Sequence, residues 1–431
     1  MREAQHRTLL LSLYEAAVAA AQPALCLPPH FPDAPATGRL IVIACGKGAA
    51  SMAKAAELYY AQAIAEGRCN GICVTRRGYG QKLAHFELIE ASHPVPDETS
   101  AAAAEKALAV AAEAQEDDLV LALISGGASA LWAAPAEGLT LADKQALTRA
   151  LLAAGATISE INTVRKHLSR IKGGRLTRAA YPAKVVTLAI SDVPGDAPDT
   201  IGSGPTVPDT TTLADARAIV ARYNLDVPAA IRAALDNPEN ETPKPNDPVF
   251  ARSRFVLASA PRIALEAAAA KAAAQGFPPM MLGDDLEGEA RDVAKAHADL
   301  ALATAWEGSK TAIISGGELT VTIRGKGRGG PNQEYALALA LELDGAAGIH
   351  ALAADTDGSD GGTGAADDPA GALIYPDTLA RARQQSADPA AFLAKNDSTG
   401  FFEMLDDLIV SGPTYTNVND LRVILVEPAS R

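Results

Sequence analysis

Leu119-Val120-Leu121-Ala122-Leu123-Ile124-Ser125-Gly126-Gly127-Ala128-Ser129-Ala130 reads as an unbroken apolar run, a glycine turn and the start of a helix. An apolar run with no polar face suits a strand buried on both sides of a parallel sheet. Two glycines and two hydroxyls at the turn suit carboxylate or phosphate oxygens, which need close backbone approach and short donors. The same order recurs at residues 39–45, closed by Gly46-Lys47-Gly48 before a helical stretch at 49–65, and at Lys184–Ile190, closed by Ser191-Asp192. Shorter apolar runs at 71–76, 254–258, 310–314, 349–354 and 421–426 supply further strands. Strands alternating with helices predict an α/β fold whose ligands gather at the carboxyl edge of the sheet.

The chain has 431 residues, more than one hydrophobic core usually serves. Two domains are expected, 1–245 and 246–431, divided near the stretch 237–248, which has four prolines and no hydrophobic period. Hydrophobic residues make up 48% of the chain but aromatics only 4%, so the core is to be built from Ala, Val, Leu and Ile, with helices lying close on a sheet. A net charge of −14 excludes a broad nucleic-acid surface, and any anion site must be local. Cys26, Cys45, Cys69 and Cys73 stand with no histidine at zinc spacing and read as structural thiols. No apolar run reaches the ~18 residues of a membrane span, and the expected setting is cytoplasmic, with no membrane partner. A homodimer is left open as the assembly.

Several polar stretches carry the chemistry. Residues 323–334 (Ile-Arg-Gly-Lys-Gly-Arg-Gly-Gly-Pro-Asn-Gln-Glu) set four glycines and three cations in seven residues against a helix start, a pattern suited to holding an anion on backbone N–H groups. Residues 162–176 hold six basic side chains within eleven, Arg165 and Lys172 among them, and suggest part of an anion pocket. His93 stands in a proline-rich turn and reads more readily as a loop hydrogen-bonder than as a catalyst. Asp192 at a strand end, with Ser203-Gly204-Pro205 close behind, offers oxygen for a metal and amides for phosphates. Asp355, Asp357 and Asp360 follow another strand; Ala366 at the twelfth loop position disfavours a calcium loop. Ser315-Gly316-Gly317-Glu318 echoes the Ser125 turn, and the loop 411–420, with Asn417, suits a nucleotide or a small polyol.

In their order these stretches resemble the glycerate 2-kinase family, over nearly the whole chain. The carriers are Gly46-Lys47-Gly48-Ala49-Ala50, Ser125 to Ala130, Asn162 to Leu176, Ser191 to Pro205, Ser315 to Glu334, Asp355 to Gly361 and Gly412 to Asp420. Ser359 stands where the family loop often has an apolar residue. The resemblance implies an N-terminal Rossmann-like α/β/α domain, a C-terminal α/β domain of MOFRL type, and a catalytic cleft between them. It also implies phosphorylation of D-glycerate at the 2-hydroxyl by ATP with Mg²⁺, and essential roles for Lys47 and Arg328.

On this reading Lys47 and Arg328 neutralise the transferring phosphoryl group or hold the glycerate carboxylate, and Asp192 holds Mg²⁺ or accepts the substrate proton. Ser125, Gly126, Gly127, Ser129, Arg165, Lys172, Glu318 and Asn332 are the expected substrate contacts. Ser203, Gly204, Pro205, Asp355, Asp357, Asp360 and Asn417 are those of the nucleotide. An NAD(P)H-dependent hydroxypyruvate reductase is the alternative enzyme, but Gly46-Lys47-Gly48 lacks the third glycine of a dinucleotide fingerprint. A non-catalytic sensor would use the same pocket without needing paired cations.

Overall fold

The computed structural model describes residues 2–362, 365 and 367–428; Ala366 lies outside them. The chain forms two compact units, one of Cys26–Ala258 and one of Met1–Leu25 with Ser259–Arg431.

In the first unit six strands, β1 (Leu40–Cys45), β2 (Cys69–Arg76), β3 (Glu87–Ala91), β4 (Leu119–Ser125), β5 (Lys184–Ile190) and β6 (Ser253–Ser259), lie in the order β3-β2-β1-β4-β5-β6. The pairings from β3 through β5 are parallel, and β1 and β4 are buried at every position, as their apolar runs require. The chain leaves β1 toward β2 on one side and returns through β4 on the other, which makes the β1/β4 junction the switch point where open α/β sheets bind ligands. The helix Glu98–Ala112 presents Ala103, Ala104, Ala107 and Ala111 to the same core as β1 and β4, and small side chains allow that close approach. Its N-terminus is fixed by Asp97, whose Oδ1 accepts from Ser100 N at 3.1 Å, in a reciprocal cap.

In the second unit β7 (Pro279–Gly283), β8 (Thr311–Ser315), β9 (Ile349–Asp355), β10 (Gly371–Ile374), β11 (Leu408–Ile409) and β12 (Asp420–Val426) take the order β11-β10-β9-β12-β8-β7. This sheet is mixed. β12 runs antiparallel to both β8 and β9, so the loops after β8 and β9 and the start of β12 share one edge.

The boundary differs from the expected 245. Residues 237–248 are packed inside the first unit: Asn240 Nδ2 donates to Ala234 O at 2.8 Å, and Thr242 Oγ1 to Asp209 Oδ2 at 3.1 Å. β6 then adds to the edge of the first sheet before the chain crosses over. The N-terminal helix Arg2–Ala20 also belongs with the second unit, where Tyr14 Oη donates to Asp355 O at 3.0 Å and the His6 ring stacks on His350 at 3.7 Å. No disulfide forms among the described residues, and Cys45, Cys69 and Cys73 are buried, with burial pushing the Cys69 thiol up to about 12.

Candidate functional site

In the first unit, the turns after β1 and β4 are clipped together by their own backbones. Lys47 N donates to Gly126 O at 2.8 Å, Gly48 N to Ser125 Oγ at 3.0 Å, and Thr75 Oγ1 on β2 to Gly46 O at 3.0 Å. Ser125 is fully buried and its hydroxyl accepts in this clip, which positions the turn. Gly126 is glycine because the Asp192 carboxylate fills the place of its side chain; a Cβ there would overlap Asp192 Oδ2. At Gly127, with φ +82°, a Cβ would meet His93 Nε2 at 3.1 Å and Lys47 Cγ at 3.3 Å. Lys47, His93 and Asp192, on three different strand-end loops, therefore gather around one glycine pair at the switch point.

Ser129 lies one turn further on. Its Oγ is 2.9 Å from Ser203 Oγ and 2.9 Å from Lys172 Nζ, which also donates to Ser129 O at 2.7 Å. Lys172 and Arg165 line a pocket beside it. The rest of the cationic run has other work: Lys166 pairs with Asp209 at 3.1 Å, His167 Nε2 lies 3.0 Å from Glu241 Oε1, and Arg175 reaches the Glu241 carbonyl. Ser203, Gly204 and Pro205, the expected nucleotide contacts, follow one another in a single loop. All three are buried, and their carbonyls accept from Gly173 N at 3.0 Å, Gly174 N at 2.7 Å and Leu176 N at 3.0 Å. That loop closes the first turn of the helix Arg175–Ala180 with its own carbonyls.

The second unit alters the reading of residues 323–334. The helix does start at Pro331, but the anion on its N-terminus is the protein's own. Asp360 Oδ1 accepts from Asn332 N at 3.0 Å and Asn332 Nδ2 at 3.2 Å, and Oδ2 from Gln333 N at 2.9 Å and Gln333 Nε2 at 3.0 Å. Burial lifts the Asp360 carboxyl to about 7 against those donors. Asn332 is buried and gives its amide also to Asp420 at 2.7 Å. Asn332 and Asp360 are thus a clamp between helix and loop.

The glycines of the loop serve close packing as well. A Cβ on Gly325 or Gly327 would overlap the Lys395 or Asp397 backbone, and the loop's amides already donate to Asn396 Oδ1, Lys395 O and Asp397 Oδ1. Arg328 reaches outward, its side chain 65% exposed and paired with Glu403 at 2.5 Å. Glu318 is exposed, Asp355 half-buried, and Asp357 and Asn417 are buried, with Asp357 Oδ1 accepting from Ser359 N at 2.9 Å and Asn417 Oδ1 from Asn419 N at 3.3 Å.

A model described as a domain of unknown function, DUF4147, matches residues 9–236, and that of the MOFRL family matches residues 311–420. Over 90% of its length the chain is 38% identical to the D-glycerate 2-kinase of Thermotoga maritima, covering 91% of that protein. The chain belongs to the glycerate 2-kinase family. The crystal structure of the Thermotoga maritima glycerate kinase matches it with a TM-score of 0.88 at 36% identity, over 98% of this chain and 99% of that one. A protein of Agrobacterium vitis, provisionally named a hydroxypyruvate reductase, is more similar in sequence, 51% identical over 97% of this chain and 94% of its own length. Sequence reasoning did not single out Lys144, which lines the pocket beside Ser129 with Arg165 and Lys172. Lys144 is on the first turn of the helix Leu141–Ala153, in an ordinary polar stretch with no motif around it.

Proposed function

We infer that the chain is an ATP-dependent glycerate 2-kinase, transferring the γ-phosphoryl group of ATP to the 2-hydroxyl of D-glycerate. The observation that carries this reading is the convergence of Lys47, His93 and Asp192 on Gly126-Gly127 at the switch point of a parallel sheet, together with the full-length likeness to kinases. Phosphoryl transfer asks for positioning and charge neutralisation more than for covalent chemistry. Lys47 supplies a cation held by two backbone clips. Asp192, pressed on Gly126, is the carboxylate of the group and takes the proton leaving the substrate hydroxyl or faces the nucleotide's cation.

Among the described residues no group of three or more His, Cys, Asp or Glu could hold a metal by itself. This suits Mg²⁺, which is commonly carried by substrate phosphates and touched by one or two carboxylates; Asp192 fits that part. The cation's chemistry is to neutralise phosphate charge. Arg328, Glu318, Asp355, Asp357 and Asn417 keep their expected roles in this reading as proposals, as do a cytoplasmic setting and a homodimer. No single helix among the described residues is long and apolar enough to cross a membrane. Light scattering on a sizing column is expected to give twice 44.3 kDa; a mass of one chain removes the dimer.

The deciding experiment measures ADP release with D-glycerate beside NADH oxidation with hydroxypyruvate, with phosphorus NMR of the product. Turnover in the first assay and a 2-phosphate signal are expected; turnover in the second alone sinks the kinase. Gly126→Ala forces Asp192 or the turn aside, and a misplacement of about 1 Å is worth roughly 10²-fold in rate. That loss is expected in kcat, and an unimpaired Gly126→Ala enzyme would separate Asp192 from the chemistry.

A further inference from the structure

Beside Ser129 lies a pocket of ≈260 Å³ lined by Lys144, Arg149, Arg165 and Lys172 and walled by Leu141 and Leu152. Its size falls below the ~300–1,000 Å³ of drug-sized sites and suits a small metabolite. Lys144 is on the first turn of the helix Leu141–Ala153. Its Nζ is buried and has no hydrogen-bond partner among the described residues. Burial, with Arg165 and Arg175 nearby, brings it down to about 7. Lys172 is 3% exposed and meets only Ser129 oxygens, and burial with Lys144 and Arg165 beside it holds it well below its ordinary range. Burial lowers Arg165 too.

Four basic side chains lining one pocket, with no carboxylate among its described lining residues, are a costly arrangement for folding alone. Such groups are retained where a ligand completes them. The pocket is contiguous with the reacting loop: Pro94 lines it next to His93, and Ser129 joins it to Gly126-Gly127 and Lys47. Its wall sets Leu141 and Leu152 beside Gln145 and Thr148, and its volume suits the short skeleton of a hydroxy acid.

We propose that this pocket binds the carboxylate of the acceptor, a short 2-hydroxycarboxylate, with Lys144 as the decisive contact and Arg165 and Lys172 beside it. The proposal rests on the kinase reading for its substrate class. It leaves Lys47 to the phosphoryl group, the choice between the two anions that the sequence left open.

The test is calorimetric titration of the full chain with D-glycerate and with D-glyceramide, which keeps the hydroxyls and lacks the charge. A charged hydrogen bond commonly accounts for about 10- to 150-fold in affinity. The wild type is expected to prefer glycerate by at least about 10-fold. Lys144→Met, which replaces a buried cation by an apolar chain of similar length, is expected to lose that preference while binding glyceramide unchanged. Arg165→Met, at a half-exposed position, is a second variant expected to shift in the same selective sense. Undiminished glycerate affinity in both variants, or equal loss for acid and amide, overturns the proposal. ADP release by the wild type is scored separately. Release with Lys144-independent binding removes the pocket and keeps the kinase; Lys144-dependent binding without release does the reverse.

Discussion

Lys47→Ala is expected to lower kcat for ADP release with D-glycerate by about 10³–10⁵-fold, the range in which a transition-state cation acts in phosphoryl transfer. The expectation starts from the strand. β1 is buried at every position, which fixes where its carboxyl end falls, and that end is the switch point of the sheet. There the Lys47 backbone is held at both polar atoms, its N on Gly126 O at 2.8 Å and its O accepting from Thr75 Oγ1 at 3.2 Å. Neither bond uses the side chain, so the alanine variant keeps both backbone clips. Lys47→Arg is not expected to rescue, because a planar fork does not replace a compact ammonium. Arg328→Ala is expected to lose turnover similarly with no loss of stability, since its exposed pair with Glu403 is of a kind worth ~0–1 kcal/mol. Near-normal turnover in both variants would remove these cations from the reaction.

What could be read before the fold was known depended on burial. β5 was legible residue for residue as Lys184–Ile190, because a strand covered on both faces has an apolar run with sharp ends. β3 (Glu87–Ala91) was not, since it lies at the sheet edge with Glu87 and Glu90 exposed and has little apolar pattern to show. β7, with Pro279, Met280 and Met281 exposed, escaped for the same reason. The pairing of the N-terminal helix with the second unit has no local signal, because it rests on contacts such as Thr416 Oγ1 to Ala21 O at 2.7 Å, hundreds of residues apart. In the site, glycine spacing showed where backbones or side chains come close, but not what approaches. At Gly126 the neighbour is Asp192, a residue already suspected; at Gly325 and Gly327 it is the 395–397 backbone, where an anion was expected. Lys144 could not have been found, since only the fold removes its partners.

Asp360→Ala is expected to destabilise the second unit by at least about 4 kcal/mol, in the range that single substitutions reach only by a named mechanism. The mechanism is the loss of the acceptor for four buried N–H groups, two from the backbone at Asn332 and Gln333 and two from their side chains. Hydrogen bonds contribute about 0.5–1.5 kcal/mol each, and buried donors left behind add their own desolvation cost. Thermal unfolding, with amide exchange at Asn332 and Gln333, measures it; a loss under about 1 kcal/mol would show that water satisfies the helix end instead. The pH dependence has a definite sign. Burial raises Asp360 to about 7 in the folded chain, above the ~3.9 of an unfolded aspartate. Between these values the native state binds more protons than the unfolded one, so this group's contribution to stability is fullest below pH ~4 and declines as pH rises through 7. The gap between wild type and Asp360→Ala is therefore expected to narrow from pH 5 to pH 8. A gap that widens would mean that the four donors and the helix terminus outweigh burial and keep the carboxylate ionised. In either case the helix after the glycine-rich loop has its anion from within the chain, so the loop's contribution to phosphoryl transfer must come through an exposed side chain, and Arg328 is the one the kinase reading needs.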